Sequence, residues 1–297
     1  MKKLLFYIRI LGIIVLIYIL STLKYGKLFE ILKSIDLKYI VLYIASYTIF
    51  LLLKVARFKY ILNHYGEHPP FFEVFGATIE SQYLGFVTPS RIGDSVKILF
   101  LYDKSGVSKK IGTITYIYDR FQDLYFMALL GIISFVFILK LPINLYFIVF
   151  IVFIVLLYVF RNRLLLNVFK RFKIDEFKKV DIKTDFILFL INFITYITYF
   201  LQYYCLALSL NIEVNFFYLS AVSIMGALIA IIPISISGIG VREGVFIYYL
   251  TKIGIYKESA FLLSFLDNTG FTILFILVFH IFYKILSLKY KSKENAS

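Results

Sequence analysis

The sequence predicts an all-α, polytopic integral membrane protein with about six full transmembrane helices and two re-entrant or broken helical hairpins. Three observations carry that prediction. The chain is 61% hydrophobic and 17% charged, with a mean hydropathy of +0.87, whereas a soluble domain is about half apolar and about a quarter charged. Apolar runs of roughly 20 residues, the length that crosses a bilayer as a helix, recur along it. Two further apolar runs are interrupted by Pro, Gly and Ser beside charged residues, at Thr88–Asp94 and Ile231–Gly244. Irregular backbone at membrane depth is tolerated only where protein or a water-filled cavity satisfies its polar groups.

The first expected span is Leu4–Leu23, read as a transmembrane helix rather than a signal peptide because no small-residue cleavage site follows it. Lys24–Lys38 spaces Leu28, Ile31, Leu32 and Ile35 helically between lysines, which predicts an amphipathic helix in the interface. The second span, Tyr39–Phe58, carries Lys54 and Arg57 near its end, where long cationic chains snorkel, the alternative being contact with substrate. Phe71–Val87, the Thr88–Asp94 break and the apolar run through Leu101 form the first broken hairpin. Spans three and four are Ile111–Leu139 and Ile143–Phe160, followed by the basic cytoplasmic loop 161–185. Span five is Phe186–Leu208. Phe216–Ile232, the Pro233–Glu243 break and a half-helix to Leu250 form the second hairpin, and Glu258–Ile285 is span six. The basic C-terminal tail is expected to be disordered.

The chain is expected to be a single membrane domain, 1–297, made of inverted repeats 1–142 and 143–297. Lys104, Gly106, Lys109 and Asp119 recur as Lys252, Gly254, Lys257 and Asp267, and each half reads helix, helix, broken hairpin, helix. Three crossings per half would invert the second half, as in transporters whose sites lie at discontinuous helices. The positive-inside rule places both termini in the cytoplasm of a multi-pass cell-membrane protein. Ser209–Asn215, which has no Lys or Arg, falls outside as expected, and Lys24–Lys38 falls outside against the rule.

Composition also excludes function classes. The net charge of +14 resembles a nucleic-acid footprint, but the basic residues sit between apolar runs, which favours anionic lipid headgroups over nucleic acid. His64, His68 and His280 have no ligand spacing for a metal, and Cys205 stands alone. No Walker motif, dinucleotide fingerprint or hydrolytic triad is present, so no cofactor is expected.

The chemistry is expected at ionisable groups within apolar spans, which are costly there and face a cavity or a partner. Arg91, Asp94, Lys97, Asp119, Arg120, Asp123, Arg242, Glu243 and Asp267 form that set, with Asn268 beside it. The arginines suit bidentate phosphate binding. The carboxylates would balance them or receive the cationic part of a zwitterionic headgroup. The plain alternative is internal salt bridging, which weighs most on Lys97 and Asp123. Glu80 stands apart in the first hairpin, as a proton-sensitive carboxylate or one hydrogen-bonded to a Ser, Tyr or Gln.

PSRIGDSVK followed by YDRFQDL, and PISISGIGVREG followed by a helix carrying Asp267, resemble the UPF0104 proteins and the membrane region of lysylphosphatidylglycerol synthases over nearly the whole chain. The resemblance implies a membrane domain that moves aminoacylated phospholipids between leaflets, without the synthases' soluble aminoacyltransferase domain. Matching positions are Arg91, Gly93, Asp94, Asp119, Arg120, Gly238, Gly240, Arg242 and Glu243. The expected function is therefore a transporter or flippase of a lipid with an anionic or zwitterionic phospho-headgroup, a modified phospholipid or a polyprenyl-phosphate-linked lipid. An ion-coupled small-solute carrier, a membrane-embedded lipid-modifying enzyme and a non-transporting scaffold are the alternatives. Membrane lipids are the expected partners, and a homo-oligomer is left open.

Overall fold

The computed structural model describes residues 2–88, 93–135, 145–171, 174–232, 235 and 237–294, and it is all-helical over them. The first half contains α1 (Lys2–Ser21), α2 (Tyr25–Lys33), α3 (Leu37–His64), α4 (Phe71–Val87), α5 (Val96–Ser105) and α6 (Lys109–Ile133). The second contains α7 (Leu145–Arg171), α8 (Ile182–Ser209), α9 (Phe216–Ile229), α10 (Val241–Thr251), α11 (Lys257–Phe265) and α12 (Thr272–Glu294). A π-helical turn, Leu266–Phe271, joins α11 to α12 without breaking their axis into a loop.

Local chemistry sets several boundaries. Asp36 starts α3 by accepting the Lys38 N–H at 2.9 Å, and Asn215 starts α9 by accepting those of Phe217 and Tyr218 at 2.9 and 3.2 Å. Gly106 ends α5 and Gly254 follows α10, at φ of 67° and 85°, a left-handed turn that side chains with a Cβ resist.

The expectation of six full transmembrane helices is not met. Among the described residues, three helical segments are long and apolar enough to cross a membrane: Leu37–His64, Ile182–Ser209 and Lys257–Leu288. They become four if the bent pair Gly12–Ser21 and Tyr25–Lys33, which turns through 89°, counts as one span. The expected third span is lost because α6 places Asp119, Arg120 and Asp123 within one apolar stretch, a charge density that hydrocarbon does not accept on a plain span. The expected fourth overlaps α7, several of whose side chains lie outside the described residues. The loop expected at 161–185 is also shorter, because α7 continues helically to Arg171 and α8 begins at Ile182.

The antiparallel-length pair α3 and α8 forms the centre, and the broken hairpins α4/α5 and α9/α10 pack around it. Outward faces carry exposed Phe193 and Ile197 on α8 and Leu277, Val278 and Ile281 on α12. Such residues gain nothing by clustering once lipid surrounds them, so close packing and interhelical hydrogen bonds must hold the bundle. The chain accordingly buries its polar groups: Arg57, Asn192, Glu243 and Ser264 are fully inaccessible.

Candidate functional site

Two polar clusters lie at different heights along the α3/α8 pair, one at Arg57 and Asn192 and the other at Tyr43 and Gln202. In the first, Arg57 on α3 faces α6 and donates through Nε to Asp119 Oδ1 at 2.8 Å. Its terminal nitrogens pair with Asp119 at 2.8 Å and with Asp123 at 2.6 Å, and also donate to Asn192 on α8. Lys54, one turn earlier, lies 3.8 Å from Asp123. Arg120 points to the other side of α6, 3.4 Å from Asp94, 3.6 Å from Asp119 and 3.8 Å from Asp123. A polar void of about 20 Å³ separates Asp94, Lys97 and Arg120 from Ser81 and Gln82 of α4. Helices can approach here because Gly85 has no Cβ, which would overlap the Asp94 carboxylate.

In the second cluster, Asp267 sits in the π-helical turn, whose wider spacing re-aims side chains and recurs at functional sites. Its Oδ1 accepts from Tyr43 at 2.9 Å and from Gln202 at 2.6 Å, so α3 and α8 both supply neutral donors to it. Asn268 accepts from Tyr203 at 3.1 Å and from Arg242. Arg242 is placed by the Gly238–Gly240 turn, which has φ of 83° and 84° at its two glycines. At Gly240 a Cβ would also overlap the Gly12 carbonyl of α1, so that position admits only glycine.

Between the clusters is a cavity of about 430 Å³. Lys54, Arg120 and Asp123 line one end and Arg242, Asp267 and Asn268 the other, with the rings of Tyr47, Phe50, Tyr116, Tyr196 and Tyr199 between them. Among the described residues, the buried Nε atoms of Arg120 and Arg242 have no hydrogen-bond acceptor. The second break meets the last turn of α4 beside this cavity, where Ser237 donates to the Phe86 carbonyl at 2.6 Å.

Of the residues singled out from sequence, the cavity gathers Arg120, Asp123, Arg242, Asp267 and Asn268. Asp94, Lys97 and Asp119 stand behind it at the small void, with the Lys97 ammonium 4.5 Å from the centre of the Phe58 ring. Glu243 is turned away: it accepts the Gly240 N–H at 2.6 Å and is approached by the Ser264 hydroxyl at 3.5 Å, so it closes the first turn of α10. Gly93 donates its N–H to the Thr88 hydroxyl at 2.8 Å and belongs to the first break. Glu80 pairs with His280 on α12 at 3.1 Å, not with a Ser, Tyr or Gln. Arg91 lies outside the described residues.

Sequence reasoning undervalued Lys54 and Arg57. It ended their helix at Phe58, within snorkelling reach of water, whereas α3 continues to His64 and leaves Arg57 about 10 Å from the helix end. The signal was present, since a basic pair one turn apart in an apolar helix matches the carboxylate pair Asp119 and Asp123 one turn apart on α6. Among the described residues no group of three or more His, Cys, Asp or Glu could hold a metal ion.

A bundle with lipid-facing apolar surfaces and a charged internal cavity defines a multi-pass membrane protein with an internal polar site. Residues 5–279 match the family model described as the lysylphosphatidylglycerol synthase TM region, and the chain belongs to that family. Comparison with curated proteins returns no match.

Proposed function

We propose that the protein handles a phosphate-bearing lipid headgroup in the central cavity and carries it between leaflets of the cell membrane, with both chain termini on the cytoplasmic side. One observation carries the reading: three cationic side chains, Lys54, Arg120 and Arg242, line one cavity, and the buried Nε atoms of its two arginines have no acceptor among the described residues. A phosphate oxygen supplies such acceptors, and guanidinium binds it with two parallel hydrogen bonds. Asp123 and Asp267, on the same walls, meet the ammonium of a zwitterionic headgroup. The volume lies in the roughly 300–1,000 Å³ range of small-molecule pockets. It suits a headgroup whose chains stay in lipid.

The inverted repeat belongs to this proposal. Supporting it, α4 packs on α12 while α6 packs on α9, contacts that exchange if the halves exchange. Asp119 and Asp267 each meet side chains of both α3 and α8 or their bonded partners. The family's own description, a synthase membrane region, favours a second reading in which the same site modifies the lipid.

The test uses proteoliposomes with headgroup-labelled phospholipids, comparing wild type with Arg120→Ala/Arg242→Ala for leaflet accessibility and for the mass of extracted lipid. Transport predicts exchange that the double variant loses, with lipid mass unchanged. A changed mass identifies an enzyme. Equal exchange by wild type and the variant overturns the arginine roles, and absence of both signals beside a working control leaves a solute carrier or a scaffold.

A further inference from the structure

A headgroup confined to an internal cavity must reach it sideways, because its chains remain in lipid. Two helix seams flank the cavity and differ in chemistry. The α6/α9 seam presents Leu124, Met127, Ala227 and Ala230 to the cavity. It is closed by direct packing, since a Cβ on Gly131 would overlap Leu228. The α4/α12 seam is also packed, with Phe75 against Phe279 and the Tyr283 ring over Gly76, but it carries polar pairs as well. Thr272 and Ile276 of α12 line the cavity, and His280 and Tyr283 continue the same helical face away from it. His280 Nδ1 lies 3.1 Å from Glu80 Oε1, and the Tyr283 hydroxyl donates to Glu73 Oε2 at 3.2 Å. Glu73 and Glu80 are two turns apart on α4, about 10 Å along its axis.

Parting the apolar seam would give a headgroup nothing to replace its water. Parting the α4/α12 seam exposes Glu73, Glu80, His280 and Tyr283, a file of groups that can bind the headgroup while it passes. The His280 and Glu80 side chains are 33% and 24% exposed within apolar helices, a costly placement that a merely structural seam does not need. We propose that the α4/α12 seam is the lateral portal through which a phospholipid headgroup enters the cavity, with His280–Glu80 and Tyr283–Glu73 as its latch. This rests on the headgroup-handling reading above.

The experiment seals each seam in turn. Glu80→Cys/His280→Cys and Gly131→Cys/Leu228→Cys are made in a Cys205→Ser background, which removes the chain's one cysteine. Each protein in liposomes is oxidised or left reduced, then offered phospholipid carrying a photoreactive headgroup, and labelled peptides are mapped by mass. The portal predicts that oxidising the α4/α12 pair lowers labelling of cavity peptides at least tenfold and that reduction restores it. Oxidising the α6/α9 pair leaves labelling unchanged. Undiminished cavity labelling with the α4/α12 seam sealed overturns the portal while leaving the headgroup reading intact, as does loss of labelling only on sealing α6/α9. No cavity labelling in the cysteine-free parent overturns both.

Discussion

Asp119 on α6 and Asp267 in the turn joining α11 to α12 are both buried carboxylates, yet their surroundings differ in kind. Asp119 is held by the Arg57 guanidinium at 2.8 Å, with Arg120 at 3.6 Å. Asp267 is held by the Tyr43 hydroxyl and the Gln202 amide, both neutral, while Arg242 reaches the neighbouring Asn268 instead. The difference teaches which charge is spent inside the fold. Arg57 answers its carboxylates within the protein, whereas Asp267 at the cavity wall is held by neutral donors and has no direct ion pair among the described residues. The Arg57 pairings therefore serve assembly, while the groups proposed to meet a headgroup are those of both clusters that line the cavity, Lys54, Arg120, Asp123, Arg242 and Asp267.

The largest effect expected from this comparison is at Arg57. Arg57→Ala leaves Asp119 and Asp123 without their buried partner and costs about 3–5 kcal/mol, seen as loss of monodisperse protein or an earlier denaturation midpoint in micelles. Adding Asp119→Asn to Arg57→Gln recovers part of that loss, and no recovery would break the assignment of the pair as structural. Next is Tyr43→Phe, which removes one donor from a buried carboxylate and costs about 1–3 kcal/mol by the same measurement. A loss as large as that at Arg57 would erase the contrast. Asp267→Asn keeps shape and most hydrogen bonding, so its midpoint moves less than that of Tyr43→Phe. Its labelling by a headgroup bearing an ammonium falls about tenfold, or about 1.4 kcal/mol, while labelling by an uncharged headgroup does not.

The smallest effect is at Lys110 and Glu176, an exposed pair at 2.7 Å outside the membrane-spanning segments. The hydrogen bond between them raises the Lys110 ammonium and lowers the Glu176 carboxyl relative to their ordinary values. Whatever stability the pair adds is therefore present at neutral pH. It is lost as pH falls through the Glu176 carboxyl range or rises through the Lys110 range. Solvent screens both groups, so Glu176→Gln leaves the midpoint and its pH profile unchanged within error.

Much of this was legible in the chain. Pro, Gly and Ser beside charge marked both breaks, and the recurrence of Asp119 as Asp267 marked the carboxylates of both clusters. Helix type was readable where apolar runs were long, as at α3, α8 and α12. The number of spans was not, because apolar length alone counted α6 while ignoring the three charges that its partners neutralise. Glu243 was read toward a ligand, although a carboxylate at the third helical position after a turn glycine matches a capping pattern. Pairings such as Glu80 with His280 had no local signature, since residues 200 apart in sequence meet only through the packing of α4 on α12.

The contact between Gly12 and the Gly240 turn also orders events during biogenesis. α1 is made more than two hundred residues before α10, the surface it docks on. The same delay separates the Lys24 N–H from the Glu258 carboxylate that accepts it at 3.2 Å. Until α10 and α11 arrive, α1 waits in lipid with its docking face uncovered, open to wrong neighbours. Closure of the Arg242 turn against α1 is thus a late step of maturation, and a chain halted before α10 would present an inserted yet unfinished bundle to membrane quality control.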